Sequence, residues 1–329
     1  MVEHAFSGKN VLVTGGLGFI GSNLAIELLN RGAKVTVLDS MVPEHGGNIA
    51  NLKPVENDVA VNISDMRDLN SLNVLVRDKD YIFHLAGQVS HGDSMRDPHG
   101  DLGVNCISTM NLVESCRHNN PNAKLIFTST RQVYGRAQNL PVREDHPTIP
   151  VDVNGINKLA AEYYHLLYDR IYGLKSVVLR LTNTYGPRQQ IRNNRQGFIG
   201  ILVRQALRGE EIQVFGSGKQ LRDFNYIDDV VDALLLAAGC EACYGEVFNL
   251  GAPRHYSLLD FVGILGELCD ISYRIVPFPD DKRIIDIGDY YGDYSAFHAR
   301  TGWEPSVDLP EGLAHSVAWF RDHKKDYWL

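Results

Sequence analysis

The segment Val11-Leu12-Val13-Thr14-Gly15-Gly16-Leu17-Gly18-Phe19-Ile20-Gly21-Ser22 constrains this chain more than any other. An apolar run ends in glycines and passes at once into an amphipathic stretch, Asn23 to Asn30. That order predicts strand, tight turn, helix. Gly15, Gly18 and Gly21 allow a sharp turn, a close approach by a diphosphate, and tight packing of helix on strand. The helix N-terminus adds unsatisfied N–H groups and the positive end of a dipole. The next apolar run, Lys34-Val35-Thr36-Val37-Leu38, ends in Asp39, eighteen residues beyond Gly21. A carboxylate there accepts hydrogen bonds from ribose hydroxyls and repels a 2′-phosphate. No Arg follows at once, so the pattern favours NAD over NADP. Glycines alone would equally describe a plain strand–helix turn; loop, spacing and acid together point to a dinucleotide.

Strand and helix patterns alternate over the first half of the chain. Apolar strand candidates lie at 11–14, 34–38, 58–61, 80–85, 123–129 and 175–181, with helical periodicity at 18–31, 66–77, 101–119 and 154–171. Regular alternation predicts an α/β fold: a Rossmann-type, doubly wound parallel sheet with helices on both faces. Such a sheet binds ligands at the carboxyl ends of its strands. Beyond about residue 182, glycines and prolines break the pattern into shorter elements. The expected organisation is an NAD-binding domain of residues 1–182 plus about 225–254. Residues 183–224 plus 255–329 would form a smaller C-terminal α/β lobe.

Bulk properties exclude several function classes. A net charge of −8 over 329 residues argues against a nucleic-acid binder. No charged-then-apolar leader and no bilayer-length apolar run is present, and the expected compartment is the cytoplasm. Five cysteines form no disulfide framework. Cys240-Glu241-Ala242-Cys243 has the spacing of a redox pair or half a zinc site. It follows a helical run and lacks a second ligand pair, so it reads as two reduced thiols, and no metal site is expected.

Several segments sit where the strands should end. They are Ile63-Ser64-Asp65-Met66-Arg67-Asp68, His84-Leu85-Ala86-Gly87-Gln88, Phe127-Thr128-Ser129-Thr130-Arg131-Gln132-Val133-Tyr134-Gly135 and Arg180-Leu181-Thr182-Asn183-Thr184-Tyr185-Gly186-Pro187-Arg188. With Lys158, Arg222-Asp223-Phe224-Asn225-Tyr226 and Thr301-Gly302-Trp303-Glu304-Pro305, this chain resembles the extended short-chain dehydrogenase/reductase family of nucleotide-sugar epimerases and dehydratases. The resemblance implies NAD as cofactor. Asp65 would contact the adenine amino group and Ala86 and Gly87 would line the cofactor. Phe19, Ile20, Ser40, Met66 and Leu85 belong to the same set. Thr130 would hydrogen-bond the sugar hydroxyl being oxidised, and Lys158 would hold the nicotinamide ribose. Ser94, Arg131, Asn183, Arg188, Val214, Arg222 and Arg283 would face the nucleotide sugar, the arginines because a diphosphate favours guanidinium forks. A homodimer is also implied, formed through the helices at 101–119 and 154–171.

One position departs from the family pattern. A tyrosine is expected four residues before the lysine, on the same helical face; here Asn154 precedes Lys158. A phenol can take a proton, whereas a carboxamide only hydrogen-bonds. The proton acceptor is then Lys158, His91, Tyr134, or a substrate group or water; otherwise the protein binds its ligands without turnover, or this is an inactivated variant. The loop Gln88-Val89-Ser90-His91-Gly92-Asp93-Ser94 should pass over the sugar. A lone loop His more often serves structure than catalysis. Arg131 and Gln132 stand where 4,6-dehydratases of the family carry Asp and Glu. No acid–base pair remains for that dehydration, so 4-epimerisation through a transient 4-keto sugar is the expected reaction. A nucleotide-sugar dehydratase, or a C4 dehydrogenase or ketoreductase, is the alternative. Arg131 would also suit a substrate carboxylate.

Overall fold

The structure, a computed structural model, describes residues 5–42, 45–195, 197–278 and 287–327. Its core is a seven-stranded sheet that is parallel throughout. Six strands come from the first 181 residues: β1 (Asn10–Thr14), β2 (Lys34–Asp39), β3 (Ala60–Ile63), β4 (Tyr81–His84), β5 (Lys124–Thr130) and β6 (Ser176–Leu181). The strand Val247–Asn249 pairs with β6 at one edge, and the order runs from there through β6, β5, β4, β1 and β2 to β3. The predicted α/β, Rossmann-type sheet is therefore present. Inner strands read as unbroken apolar runs because helices cover both faces; β4 and β6 are buried at every position.

The order reverses between β1 and β4, which are hydrogen-bonded neighbours. Connections leave these two strands in opposite directions, opening a crevice at their carboxyl ends. The helix α1 (Phe19–Asn30) starts directly above it.

The helix expected over 101–119 is built in three pieces. A short α4 (Pro98–Asp101) runs into a π-helical turn, Leu102–Ile107, and then into α5 (Ser108–Asn119). Asp101 precedes this turn and Asn105 lies in it, and they bond to Asn154 and to the Gln88 peptide. Apolar periodicity alone carries no signal for such a turn. The long helix α6 (Val153–Tyr172) matches its predicted span closely, starts at an Asp152 N-cap and ends at Gly173 in the left-handed region.

Residues beyond 182 form shorter elements in two-stranded pairs, such as Asn183–Tyr185 with Phe224–Tyr226. The helix Ile227–Gly239 packs on α1, leading the chain back to the sheet edge at Val247. All five cysteines are free thiols. Among the described residues no cluster of three His, Cys, Asp or Glu side chains could hold a metal ion, and no helix is long and apolar enough to cross a membrane.

Candidate active site

One cavity of about 790 Å³ runs along the carboxyl ends of the strands, from the glycine loop to Arg195 and the segment 197–199. At its first end the glycine loop does what its residue types predict. Gly15 lies at φ +69°, and a Cβ there would meet Ala86 N at 2.8 Å; a Cβ on Gly21 would meet Gly15 O at 2.3 Å. No larger residue fits either place without moving backbone. Asp39, at the end of β2, accepts from Leu17 N at 3.1 Å and from Met41 N at 2.8 Å. Burial pushes its carboxyl up, and the two N–H donors oppose that shift. Gly18, Phe19, Ile20 and Ser40 line the same end of the cavity.

Beyond β3, Asp65 and Met66 line the wall. Asp65 is gripped by Arg67, with Nη2 to Oδ2 at 2.6 Å and Nε to Oδ1 at 3.0 Å. That guanidinium holds the carboxyl below its usual range despite partial burial. Arg67 itself reaches the cavity, although nothing in its immediate sequence marks it as a lining residue. Leu85, Ala86 and Gly87 follow β4 along the floor.

The middle of the cavity gathers Thr130, Lys158, Asn154 and His91. Lys158 is buried, donates to Thr128 O at 3.0 Å, and sits 4.7 Å from the Phe127 ring centre. Desolvation pulls its pKa down to about 8, against the favourable charges of Asp101 and Glu162. Asn154, 2 % exposed, donates to Gln88 O at 2.7 Å and to Asp101 Oδ2 at 3.2 Å. Asn157 donates to the other Asp101 oxygen at 2.7 Å, and Asn105 clamps the Gln88 peptide through its N–H and C=O. The 88–94 loop is thus stitched to α6. Gln88, Asp101 and Asn105 escape a motif-based reading, although the four-residue spacing of Asp101 and Asn105 places them on one helical face.

His91, at the start of α3 (His91–Arg96), places Nδ1 2.9 Å from Asp152 Oδ2, while Nε2 lies 3.2 Å from Gln132 Nε2. Burial alone would raise the Asp152 carboxyl, but His91 and the Gly155 N–H hold it below the usual range. Tyr134 is elsewhere. It is 1 % exposed, its hydroxyl donates to Asn249 Oδ1 at 2.7 Å, and it accepts from Arg180 at 2.6 Å. Its pKa is pushed up to about 12 by burial, and it stays off the cavity wall. The position is structural: Arg180 also makes a buried bidentate pair with Glu162.

At the far end, Arg131 and Asn183 line the cavity. Arg131 lies under the Tyr290 ring, 5.5 Å from its centre. Four other expected substrate residues do not line it. Ser94 is buried beneath the loop, accepting from Asn154 N and donating to His91 O. Val214 is fully buried in the core of the C-terminal part. Arg188 is drawn aside to Asn51 O and Asn23 Oδ1, and Arg222 donates to Leu221 O and Gly288 O. Arg283 lies outside the described residues.

The donor set fits a dinucleotide. The glycine cradle leaves room only for backbone and ligand, Asp39 stands at the strand end, and Ser129 Oγ and Arg131 Nε on the cavity wall are buried without hydrogen-bond partners. Comparison with known proteins agrees. The model of the NAD dependent epimerase/dehydratase family matches residues 11–251. A UDP-glucose 4-epimerase of Mycolicibacterium smegmatis is 33% identical over 94% of this chain and 98% of its own length. Among solved structures, UDP-glucose 4-epimerase of Thermotoga maritima with UDP-glucose is 34% identical, with TM-score 0.87 over 96% of this chain and 99% of that one. The Thermus thermophilus UDP-glucose 4-epimerase complex with NAD is 30% identical, with TM-score 0.84 over 95% and 99%.

Proposed function

We infer that this chain, which belongs to the NAD dependent epimerase/dehydratase family, is an NAD-dependent enzyme that modifies a nucleotide-activated hexose, inverting it at C4 through a transient 4-keto sugar. One observation carries the choice of reaction. A single cavity joins the glycine loop and Asp39 to Thr130, Lys158 and Asn183, and its wall past Thr130 carries Arg131 and Gln132. Neither side chain can protonate a leaving hydroxyl and take a C5 proton, as a 4,6-dehydration requires.

Gly15, Gly18, Gly21, Asp39 and the 85–87 segment would hold NAD, which supplies a hydride acceptor and donor at the sugar. The protein's own groups do the rest. Thr130 donates a hydrogen bond to the oxygen as it becomes a carbonyl. Lys158, cationic at neutral pH with a pKa of about 8, favours the negative charge developing there and binds the ribose. Arg131 and Asn183 orient the sugar and its diphosphate.

On this reading the chain divides into a cofactor part, residues 1–182 plus about 225–254, and a sugar-binding lobe of 183–224 plus 255–329. It works as a homodimer in the cytoplasm. The exposed apolar residues Ile107, Met110, Tyr163 and Leu167 on the 102–119 segment and α6 support the dimer, and five unpaired thiols suit a reducing compartment.

Asn154 favours one competing reading, a protein that binds these ligands without turnover. Incubation with UDP-glucose, UDP-galactose, UDP-N-acetylglucosamine, dTDP-glucose and CDP-glucose, followed by proton NMR of the sugar, separates the two. C4 inversion of at least one is expected. Binding of all with change in none would favour the competitor, and loss of water from C6 would overturn the epimerase.

A further inference from the structure

Resting on the reading above, we propose that His91, held by Asp152, is the proton acceptor for the sugar hydroxyl being oxidised. Four other groups near Thr130 are unsuited. Asn154 is an amide, too weak a base to take the proton, and its Nδ2 donates to both Gln88 O and Asp101 Oδ2. Tyr134 is locked between Asn249 and Arg180, away from the cavity. Lys158 donates to Thr128 O and is a donor in its cationic form. Asp101 reaches the cavity, but both of its oxygens already accept from the amides of Asn154 and Asn157.

His91 has the opposite character. Its ring lies on the cavity wall and its Nδ1 faces a carboxylate at 2.9 Å. His91 Nδ1 and Asp152 Oδ2 are both buried with no hydrogen-bond partner, and a proton on Nδ1 would satisfy both while leaving the Nε2 lone pair to accept. The Gln132 amide nitrogen lies 3.2 Å from Nε2, a donor that a sugar hydroxyl would replace. Gln132 is two residues past Thr130 and donates its backbone N–H to Thr130 Oγ1 at 3.2 Å, so His91 Nε2 and Thr130 share one neighbour. Asp152 is also the N-cap of α6, accepting from Gly155 N at 2.7 Å. His91 is therefore fixed to the same rigid element that carries Lys158. This is the arrangement in which a carboxylate orients an imidazole and stabilises its cation.

The step balances. The hydroxyl proton passes to His91 Nε2, and the carbinol hydrogen leaves with its electron pair as hydride to the family's cofactor. The carbon–oxygen single bond becomes a carbonyl. Asp152 takes no proton. When hydride returns, the same nitrogen gives the proton back to oxygen.

The test uses the full-length protein and the five nucleotide hexoses named above. His91→Asn and His91→Gly should lower kcat on the accepted sugar by about 10²–10⁴-fold, the usual weight of a positioned acid–base group. KM should change by no more than about threefold, and binding of UDP alone should persist. Added imidazole should restore H91G activity by about tenfold or more and leave H91N unchanged, because only the glycine leaves room. Near wild-type kcat in either variant, or a loss in H91G that imidazole does not relieve, would overturn the proposal. Nitrogen-15 NMR of the imidazole gives a readout without turnover. The Nδ1–H tautomer is expected in the wild type and its loss in Asp152→Asn, whose amide keeps the helix cap. If no sugar reacts, the substrate reading falls, and an Nε2–H tautomer in the wild type would then sink the dyad separately.

Discussion

The Asn154 amide donates in two directions, binding the 88–94 loop to α6 and helping Asn157 to hold Asp101. Removing it leaves a buried carbonyl and a buried carboxylate each short of a donor. Asn154→Ala is therefore expected to cost about 1–3 kcal/mol, read from urea unfolding. No loss of stability would show that water replaces the amide fully. Asn154 stood out in the sequence because it keeps the spacing of four to Lys158 while carrying an amide where the resemblance implies a tyrosine. What the amide binds was not legible, because Gln88 and Asp101 lie 66 and 53 residues away. His91 was readable as one candidate among several; its carboxylate partner is 61 residues further along the chain and shares no local pattern with it. Arg188, Val214 and Arg222 illustrate the converse. The resemblance places them at the nucleotide sugar; in the structure they make local hydrogen bonds or pack in the core, off the cavity wall.

At the scale of elements, the strand ends were the most legible part of the chain. Period, glycine and acid all act within about thirty residues of β1, so they leave a compact signature. Gly15→Ala should abolish co-purifying NAD, because the added Cβ needs φ +69° and meets Ala86 backbone; a variant retaining a full complement by absorbance would contradict this role of the loop. A less visible device lies between β4 and α6. His84 Nδ1 is 3.1 Å from His165 Nε2, and His165 Nδ1 is 3.3 Å from Ser176 Oγ. Both rings are buried, and burial with the nearby Lys158 charge brings the His165 pKa down to about 3. The unfolded chain binds this proton near pH 6.5 while the folded chain refuses it until about pH 3. Stability from this group is complete above pH 6.5 and is lost as pH falls between those values. At pH 5 the loss is about 2 kcal/mol. Urea midpoints at pH 7 and pH 5 should show it, and His165→Gln should make the drop smaller by a similar amount. An identical drop in the variant would remove His165 from the acid response. Neither histidine signals this in sequence, since each sits within an ordinary apolar element.

For the whole molecule, the alternation of elements foretold the parallel sheet, and the expected return of about 225–254 to the first domain agrees with Val247–Asn249 at its edge; the π-turn and the exact pairing with β6 were not foretold. Both depend on packing between segments far apart in sequence. The exposed face of α6 carries Tyr163, 60 % exposed, and Leu167 one turn later. Tyr163→Glu combined with Leu167→Glu should convert a dimer to a monomer in sedimentation velocity, and an unchanged mass would place the interface elsewhere. The central claim is that one cavity oxidises a sugar at C4 and returns the same hydrogen to the opposite face. Nucleotide hexoses carrying deuterium at C4 test it most directly. The C4 epimer should form with its deuterium retained. Epimer that has exchanged deuterium for solvent hydrogen, or no epimer from any nucleotide hexose, would contradict the account.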